Sequence, residues 1–160
     1  MKTMRKANRQ KDAEWALEVF DKAPYVTVSM TRPDGSPYGL PLSLVRDGDN
    51  TFYFHCAGEG EKLDCLRHNP SVSLSAVSKC TPKFELEKNN FTEHYHSALA
   101  IGTAEIVYDD AEKIYVLRLL CSRFLPKFMD HFDDAVARSL NITTVVRITL
   151  TEPPIGKCKP

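Results

Sequence analysis

The stretch from residue 52 to residue 63 constrains the fold of this chain more than any other segment. Phe52 and Phe54 alternate with Tyr53 and His55, and alternate residues of a strand point to opposite faces of a sheet. The stretch therefore begins as a short strand. One face of that strand is apolar, and the other ends in an imidazole.

A glycine loop and a helix start follow this strand. Gly58 and Gly60 allow the backbone to approach a ligand closely, and the first turn of a helix offers free N–H groups to an anion. Lys62 adds a positive charge there, whereas Glu61 would repel an anion unless it points away. Two interpretations are open from these residues alone: an anion site, or a plain strand-to-helix connection.

The composition narrows the class of protein. The chain has 160 residues, which predicts one domain spanning residues 1–160. Lysine plus arginine and aspartate plus glutamate both number 21, which argues against nucleic acid as a partner. No apolar run is long enough to cross a membrane, and no signal peptide is recognisable. Five cysteines without CxxC pairing favour reduced thiols and a cytoplasmic protein.

The first part of the chain predicts a helix followed by strands. Apolar residues recur at helical spacing over residues 12–22, until Pro24 prevents continuation. Residues 25–31 alternate as a strand, residues 32–36 form a turn, and residues 38–46 return as a second strand. Its Pro41 indicates an edge position, a bulge, or a backbone N–H that no neighbouring strand needs. With the aromatic strand, these segments predict a three-stranded antiparallel meander.

The middle of the chain predicts a short helix over residues 63–69 and strands over residues 71–78 and 94–108. The polar segment 79–92 between these strands is expected to be irregular, with Phe84 and Phe91 placed to cover a site.

The last third predicts a helix over residues 109–125 and a mostly buried helical region over residues 126–140, with Asn141 as its C-terminal cap. Residues 143–150 are the expected final strand, and residues 1–11 and 152–160 are expected to be loose tails. About six antiparallel strands with helices at their edges predict a mainly-β fold, a small β-barrel with helical additions.

Several other kinds of site find little support. A zinc site would have to combine Cys65 with His68, or His94 with His96, with or without His55. These combinations lack the pattern of four ligands. A cysteine hydrolase built on Cys56 or Cys80 lacks a suitably placed histidine, because a strand directs adjacent residues to opposite faces. The glycine loop matches neither a Walker loop nor GxGxxG. His131 is interpreted as a partly buried structural residue.

The order of these segments resembles the FMN-binding split-barrel superfamily, of which pyridoxamine 5′-phosphate oxidase is the familiar member, and within it the nitroimidazole-resistance (Nim-type) branch. The segments that carry the resemblance are GSPYGLPL at residues 35–42, FYFHCAGEGEK at 52–62, NPSV at 69–72, YHSALAIGTA at 95–104, TVVRI at 144–148 and GK at 156–157. The resemblance implies an antiparallel six-stranded split barrel that binds FMN in a groove at a homodimer interface.

The resemblance also implies which residues line that groove. Main-chain groups of Pro41, Leu42, Ser43 and Leu44 would contact the isoalloxazine edge. His55 and Cys56 would lie along the ribityl chain or ring, and Glu61 and Lys62 would lie at the phosphate. Ser97 would contact the flavin from the neighbouring strand.

The chain departs from the oxidase branch in ways that affect its expected activity. Leu40 or Pro41 stands where that branch has an arginine, Glu61 stands where a basic or small residue is frequent, and the oxidase's substrate-binding residues near the chain end are not recognisable.

The resemblance therefore implies an FMN-dependent oxidoreductase other than a vitamin B6 oxidase. It would reduce a nitroaromatic or other small electrophile with electrons from a nicotinamide donor, with His55 as the catalytic residue. The alternative is a non-catalytic protein that holds flavin or haem in the same groove.

Overall fold

Antiparallel strands dominate the structure, a computed structural model that describes residues 4–160. Its strands are β1 Gln10–Lys11, β2 Val26–Thr31, β3 Pro37–Leu42, β4 Val45–Asp47, β5 Thr51–Ala57, β6 Ser71–Glu85, β7 Asn90–Val107, β8 Thr143–Leu150 and β9 Ile155–Lys159. Its helices are α1 Ala13–Lys22, α2 Glu61–His68, α3 Asp110–Phe124 and α4 Phe132–Ser139, and short 3-10 helices span Ala7–Arg9, Leu86–Lys88, Pro126–His131 and Leu140–Ile142. The mainly-β class predicted from the sequence is confirmed.

The strands form one sheet whose order is β3-β2-β6-β7-β8-β5-β4. The long strand β7 pairs with β6 along most of its length, with β8 over residues 102–107 and with β9 over residues 95–99. A register shift between Val77 and Lys79 marks a bulge in β6, and bulges increase the local bend of a sheet. Strand β7 thus joins the two halves of the curled sheet.

The sheet buries apolar side chains on both of its faces. The larger core contains Phe20 of α1 and Phe52 and Phe54 of β5, and the rings of Phe20 and Phe52 meet edge to face at 5.2 Å. The smaller core lies on the opposite face of β5 and β8, where Tyr53 and Val116 pack together with α3. Alternation along β5 therefore separates two apolar layers, whereas the aromatic pattern predicted only one apolar face.

Aspartate side chains cap the first turns of α1 and α3. The Asp12 carboxylate accepts a hydrogen bond from the Trp15 amide at 2.9 Å, and the Asp109 carboxylate accepts one from the Glu112 amide at 2.7 Å. Such caps satisfy amides that have no partner inside the helix.

The prediction of one strand over residues 38–46 is wrong, because the strand is interrupted at Ser43 and Leu44. Leu44 turns inward and is 2 % exposed, so β3 ends before it and β4 begins after it. Strand β3 pairs with β2 and β4 pairs with β5, which also contradicts the predicted meander. Pro41 does lie on an edge strand, where a missing N–H costs no ladder hydrogen bond.

Segment 79–92 is a β-hairpin and not an irregular loop. Strands β6 and β7 continue in register beyond the bulge as far as the pair Glu85 and Asn90, and Asn89 closes the turn in the left-handed conformation at φ 45°. Phe84 and Phe91 face each other across the hairpin tip at 4.7 Å. They contact each other and cover no described pocket that includes a predicted site residue.

The end of the chain is a ninth strand and not a loose tail, so the expected count of six strands is too low. Strand β9 pairs with β7 and with β1, which gives the backbone of this proline-containing segment partners that local sequence does not reveal. Residues 1–3 of the other expected tail lie outside the described part of the chain. Asn141 lies in the 3-10 helix after α4 and does not cap it, since the C-cap is Leu140.

Candidate functional site

Helix α2 begins at a residue without a side chain. Its N-cap, Gly60, has φ 130°, a conformation that L side chains rarely adopt. The amides of Leu63 and Asp64 both donate to the Gly60 carbonyl, at 2.9 and 3.3 Å. The amides of Glu61 and Lys62 precede them in the first turn, where a helix provides no internal acceptor. The start of α2 is therefore open to an approaching acceptor group.

Arg32 brings a second cation to this helix start. It lies in the turn between β2 and β3, and its Nε donates to Glu61 Oε1 at 2.5 Å. Two further contacts fix the guanidinium: a hydrogen bond to the Pro37 carbonyl at 2.9 Å and the ring of Tyr38, whose centroid is 4.8 Å away. Arg32 was not predicted as a site residue, because the sequence of its segment indicates only a turn. Its contact with Glu61 explains how an acidic residue is accommodated here.

Lys62 is half-buried and lies close enough to affect two residues of β5. Burial lowers the pKa of His55, and the charge of Lys62 lowers it further. Burial raises the pKa of the Cys56 thiol, and Lys62 partly opposes that shift. Three predicted site residues are thus brought together, and the shifts favour a neutral imidazole and a protonated thiol.

His55 and Cys56 nevertheless point to opposite faces of β5. Cys56 packs against the larger core, while His55 lines a cavity between β5 and the helices α3 and α4. The same strand end can therefore offer the imidazole to one side of the sheet and the thiol to the other.

Ser97 lies elsewhere, on the outer face of the sheet formed by β2, β6 and β7. It borders a cavity of about 640 Å³ that is also lined by Thr27 and Ser75. Thr27 lies in β2, and Arg32 follows the last residue of that strand. Five residues of extended chain span roughly 17 Å. The cavity and the start of α2 are thus well separated, a spacing suited to the two ends of an extended ligand.

The segment 41–44 lies at the margin of this face. Pro41 pairs with Thr27 on the edge strand β3, so main-chain groups on the free side of β3 are accessible. Leu44 is buried, which leaves only its main chain available to a ligand. Gly39 also faces outward, and a Cβ there would lie 3.3 Å from Ser29 Oγ. Small residues keep the surface shallow beside the predicted ring site.

Other predicted features are less prominent in the structure. Within residues 4–160, no group of three or more His, Cys, Asp or Glu side chains could hold a metal ion. Cys65 is fully buried and His68 is exposed. His131 is exposed and borders the same cavity as His55, so the expectation of a partly buried structural residue is wrong. None of the helices in the described part of the chain is long and apolar enough to span a membrane.

The fold is that of the flavin-binding split barrels, and comparison with protein families agrees. The chain belongs to the pyridoxamine 5′-phosphate oxidase family, whose model matches residues 12–155. This confirms the resemblance inferred from the sequence. Comparison with curated proteins finds no match.

Solved structures share the fold at low sequence identity. The flavocytochrome Anf3 from Azotobacter vinelandii superimposes with a TM-score of 0.84 at 21% identity, covering 99% of this chain and 72% of the other. The FAD and haem binding protein from Mycobacterium smegmatis superimposes with a TM-score of 0.81 at 22% identity, covering 94% of this chain and 73% of the other. A candidate 5-nitroimidazole antibiotic resistance protein from Bacteroides thetaiotaomicron VPI-5482 superimposes with a TM-score of 0.75 at 18% identity, covering 93% of this chain and 88% of the other.

Proposed function

We propose that this protein is a cytoplasmic FMN-dependent oxidoreductase that reduces a small electrophile, such as a nitroaromatic compound, with electrons from a nicotinamide donor. The observation that carries the proposal is the pair of cations, Arg32 and Lys62, at the glycine-capped start of α2. A phosphate monoester is the anion that such a start can bind through amides and cations together. This is the position at which family resemblance expects the FMN phosphate.

The residues of the chain have separate tasks in this proposal. Lys62 and Arg32 bind the phosphate, main-chain groups of residues 41–44 hold the ring edge, and Ser97 orients the ring from β7. The neutral imidazole of His55 can donate or accept a hydrogen bond at the substrate. When bound, FMN would supply the redox chemistry that links the nicotinamide donor to the substrate.

A second function has support from the similar structures. Two of them are described as a flavocytochrome and as an FAD and haem binding protein. A non-catalytic protein that stores flavin or haem in the same groove is therefore the alternative, and the imidazole of His55 would be its candidate iron ligand.

The proposed active form is a homodimer. Tyr25, Val77 and Leu99 are 57%, 52% and 38% exposed, and all three border the cavity that contains Ser97. An exposed apolar patch of this kind is characteristic of an interface. A second copy would cover the patch and enclose the ring that one chain leaves open.

Reconstitution and turnover test the function. The purified protein is incubated with FMN or haem, desalted, and examined by absorption spectroscopy, and the FMN form is then supplied anaerobically with NADH or NADPH and a nitroimidazole. The proposal expects retained flavin bands and consumption of the nitro compound above the rate of free FMN. Retained flavin without turnover would favour the storage function, a Soret band alone would favour haem, and retention of neither would contradict both.

A further inference from the structure

A second cavity, separate from the one that Ser97 borders, lies between β5 and the helical layer. It has a volume of about 310 Å³, within the range of small-molecule sites and equal to the volume of roughly ten water molecules. Residues from β5, α3, the 3-10 helix Pro126–His131, α4 and β8 line it. The cavity is therefore formed by the packing of several elements and is not a surface crevice of one loop.

The lining of this cavity is apolar and uncharged. Leu117 and Leu120 of α3 and Met129 and Phe132 beyond them form much of the wall, and the described lining residues include no Lys, Arg, Asp or Glu. A charged ligand would lose its hydration without gaining a partner of opposite charge. The cavity therefore favours a neutral occupant.

Some polar groups of the cavity already have hydrogen-bond partners within the protein, and others do not. Thr143 donates to the Ser139 carbonyl and Ser139 donates to the Ala135 carbonyl, each at 2.9 Å. The imidazoles of His55 and His131 have no hydrogen-bond partner among residues 4–160. Burial and Lys62 lower the pKa of His55, so near pH 7 its neutral ring offers one donor and one acceptor.

The mouth of the cavity is also apolar. Leu125 and Phe128 are 54% and 60% exposed, and both belong to the cavity lining. The backbone departs from helical geometry at Phe128, with φ −116° and ψ 15°. This connection between α3 and α4 presents apolar side chains at the entrance to an apolar interior.

We propose that this cavity is a binding site for a neutral molecule of one or two aromatic rings that carries a hydroxyl or carbonyl group. The rings lie among the leucine, methionine and phenylalanine side chains, and the polar group bonds to an imidazole. The site is formed by this chain without flavin, so it does not depend on the proposed redox function.

Binding of 1-naphthol and 1-naphthoate to the full-length protein tests the proposal. The neutral fluorophore N-phenyl-1-naphthylamine serves as the reporter, and each compound is used to displace it. We expect saturable reporter binding and displacement by 1-naphthol at a concentration at least about tenfold lower than by the charged 1-naphthoate. Equal displacement by the two compounds, or no saturable binding, would overturn the proposal.

Two matched variants locate the bound molecule. Ala135→Phe places a ring into the cavity and is expected to weaken reporter binding at least about tenfold, whereas Ala137→Phe on the same helix does not line the cavity and is expected to leave binding unchanged. Replacing either histidine by phenylalanine should reduce the preference for naphthol over naphthalene. Equal effects of the two alanine variants would contradict the assignment.

A measurement on the wild-type protein tests the location of the site without relying on variants that could misfold. With ¹³C-methyl methionine labelling, 1-naphthol is expected to shift the methyl resonance of Met129, which lines the cavity. Met30 lies in the larger core and is expected to remain unchanged. A shift of Met30 without one of Met129 would refute the proposed location.

Discussion

The contact between Arg32 and Glu61 determines the charge at the start of α2. Both side chains are substantially exposed, at 35% and 51%, and exposed ion pairs add little to folding stability. The electrostatic effect on a neighbouring anion is greater, because the carboxylate offsets one of the two cations. We therefore expect Glu61 to limit the affinity of the proposed site for phosphate.

Glu61→Gln is expected to strengthen FMN binding, by roughly threefold to tenfold. The substitution removes a negative charge from the phosphate site, while the Pro37 carbonyl and the Tyr38 ring still hold Arg32 in place. Fluorescence titration of FMN at several salt concentrations measures the effect, which should be accompanied by a steeper salt dependence. Glu59→Gln, a change in the adjacent loop, is the control. Weaker FMN binding by Glu61→Gln would show that the carboxylate is needed to position Arg32.

We expect His55 to lower the stability of the folded protein at acidic pH. Its folded pKa lies below the ordinary value of 6.5 because of burial and the charge of Lys62. The unfolded chain therefore binds the proton more readily, and stability decreases as the pH falls below about 6.5 toward the folded pKa. Urea unfolding at pH 7.5 and 5.0 should show a smaller loss for His55→Gln than for the wild type. His68→Gln, at an exposed histidine, should behave as the wild type; an equal loss for His55→Gln would contradict the pKa shift.

The sequence predicted some residues of the candidate site and missed others for physical reasons. Lys62 and His55 lie in one continuous strand-to-helix segment, so local periodicity and turn chemistry were sufficient to bring them together. Arg32 and Glu61 are 29 residues apart, and their contact depends on the placement of the β2–β3 turn beside α2. No local pattern encodes that placement.

At the level of elements, a single arginine of α3 holds the end of α1. One Nη of Arg123 donates to the carbonyls of Phe20, Asp21 and Ala23, at 3.1, 2.7 and 3.1 Å. These carbonyls belong to the last turn of α1 and its cap, where a helix leaves acceptors without internal donors. Arg123 thus joins the helix that covers the larger core to the helix that covers the smaller one.

Arg123→Met is expected to destabilise the fold by about 2 kcal/mol and to lower Tm by roughly 4–8 °C. The variant keeps an apolar stem but removes a charged donor from three carbonyls. Thermal unfolding followed by circular dichroism measures the change. Arg118→Met is the control, because Arg118 is 49% exposed and pairs with Asp133 on the surface, a kind of contact worth less than about 1 kcal/mol. Equal effects of the two variants would contradict the capping role.

Elements with strong local signals were predicted well. Helices α1 and α3 combine an aspartate cap with a broad apolar face, and both signals lie within the element itself. The hairpin 79–92 is polar and contains Pro82, and strand β9 is short and lies between prolines. The strand character of both comes from pairing with other segments. The close approach of Gly156 to α1, where a Cβ would overlap the Trp15 ring, likewise becomes evident only once β9 is in place.

For the whole molecule, the exposed patch of Tyr25, Val77 and Leu99 predicts the association of two chains. Light scattering coupled to gel filtration should give about twice the chain mass of 18.1 kDa. Leu99→Glu introduces a charge into the patch, and burial of an unpaired charge opposes association. We expect this variant to elute as a monomer.

The matched control for the dimer is Tyr108→Glu, at a side chain that is 84% exposed and does not border the Ser97 cavity. It should remain dimeric. A wild-type monomer that binds FMN tightly would contradict a shared site, and a dimer that persists in Leu99→Glu would place the interface elsewhere.

The sequence predicted the class of the whole molecule better than its topology. Alternating segments and the absence of βαβ units indicated a mainly-β barrel, because those features are local. The strand order places β2 beside β6 and β5 beside β8, pairings between segments distant in the chain. Which faces meet, and which distant residues come together, follows from those pairings.

The central claim is that Lys62 at the start of α2 binds the phosphate of FMN. It is tested most directly by the ratio of FMN to riboflavin affinity, since the two ligands differ only in that phosphate. We expect the wild type to prefer FMN and Lys62→Ala to lose roughly tenfold or more of that preference, with riboflavin affinity unchanged and Lys127→Ala resembling the wild type. An unchanged ratio in Lys62→Ala would contradict the claim.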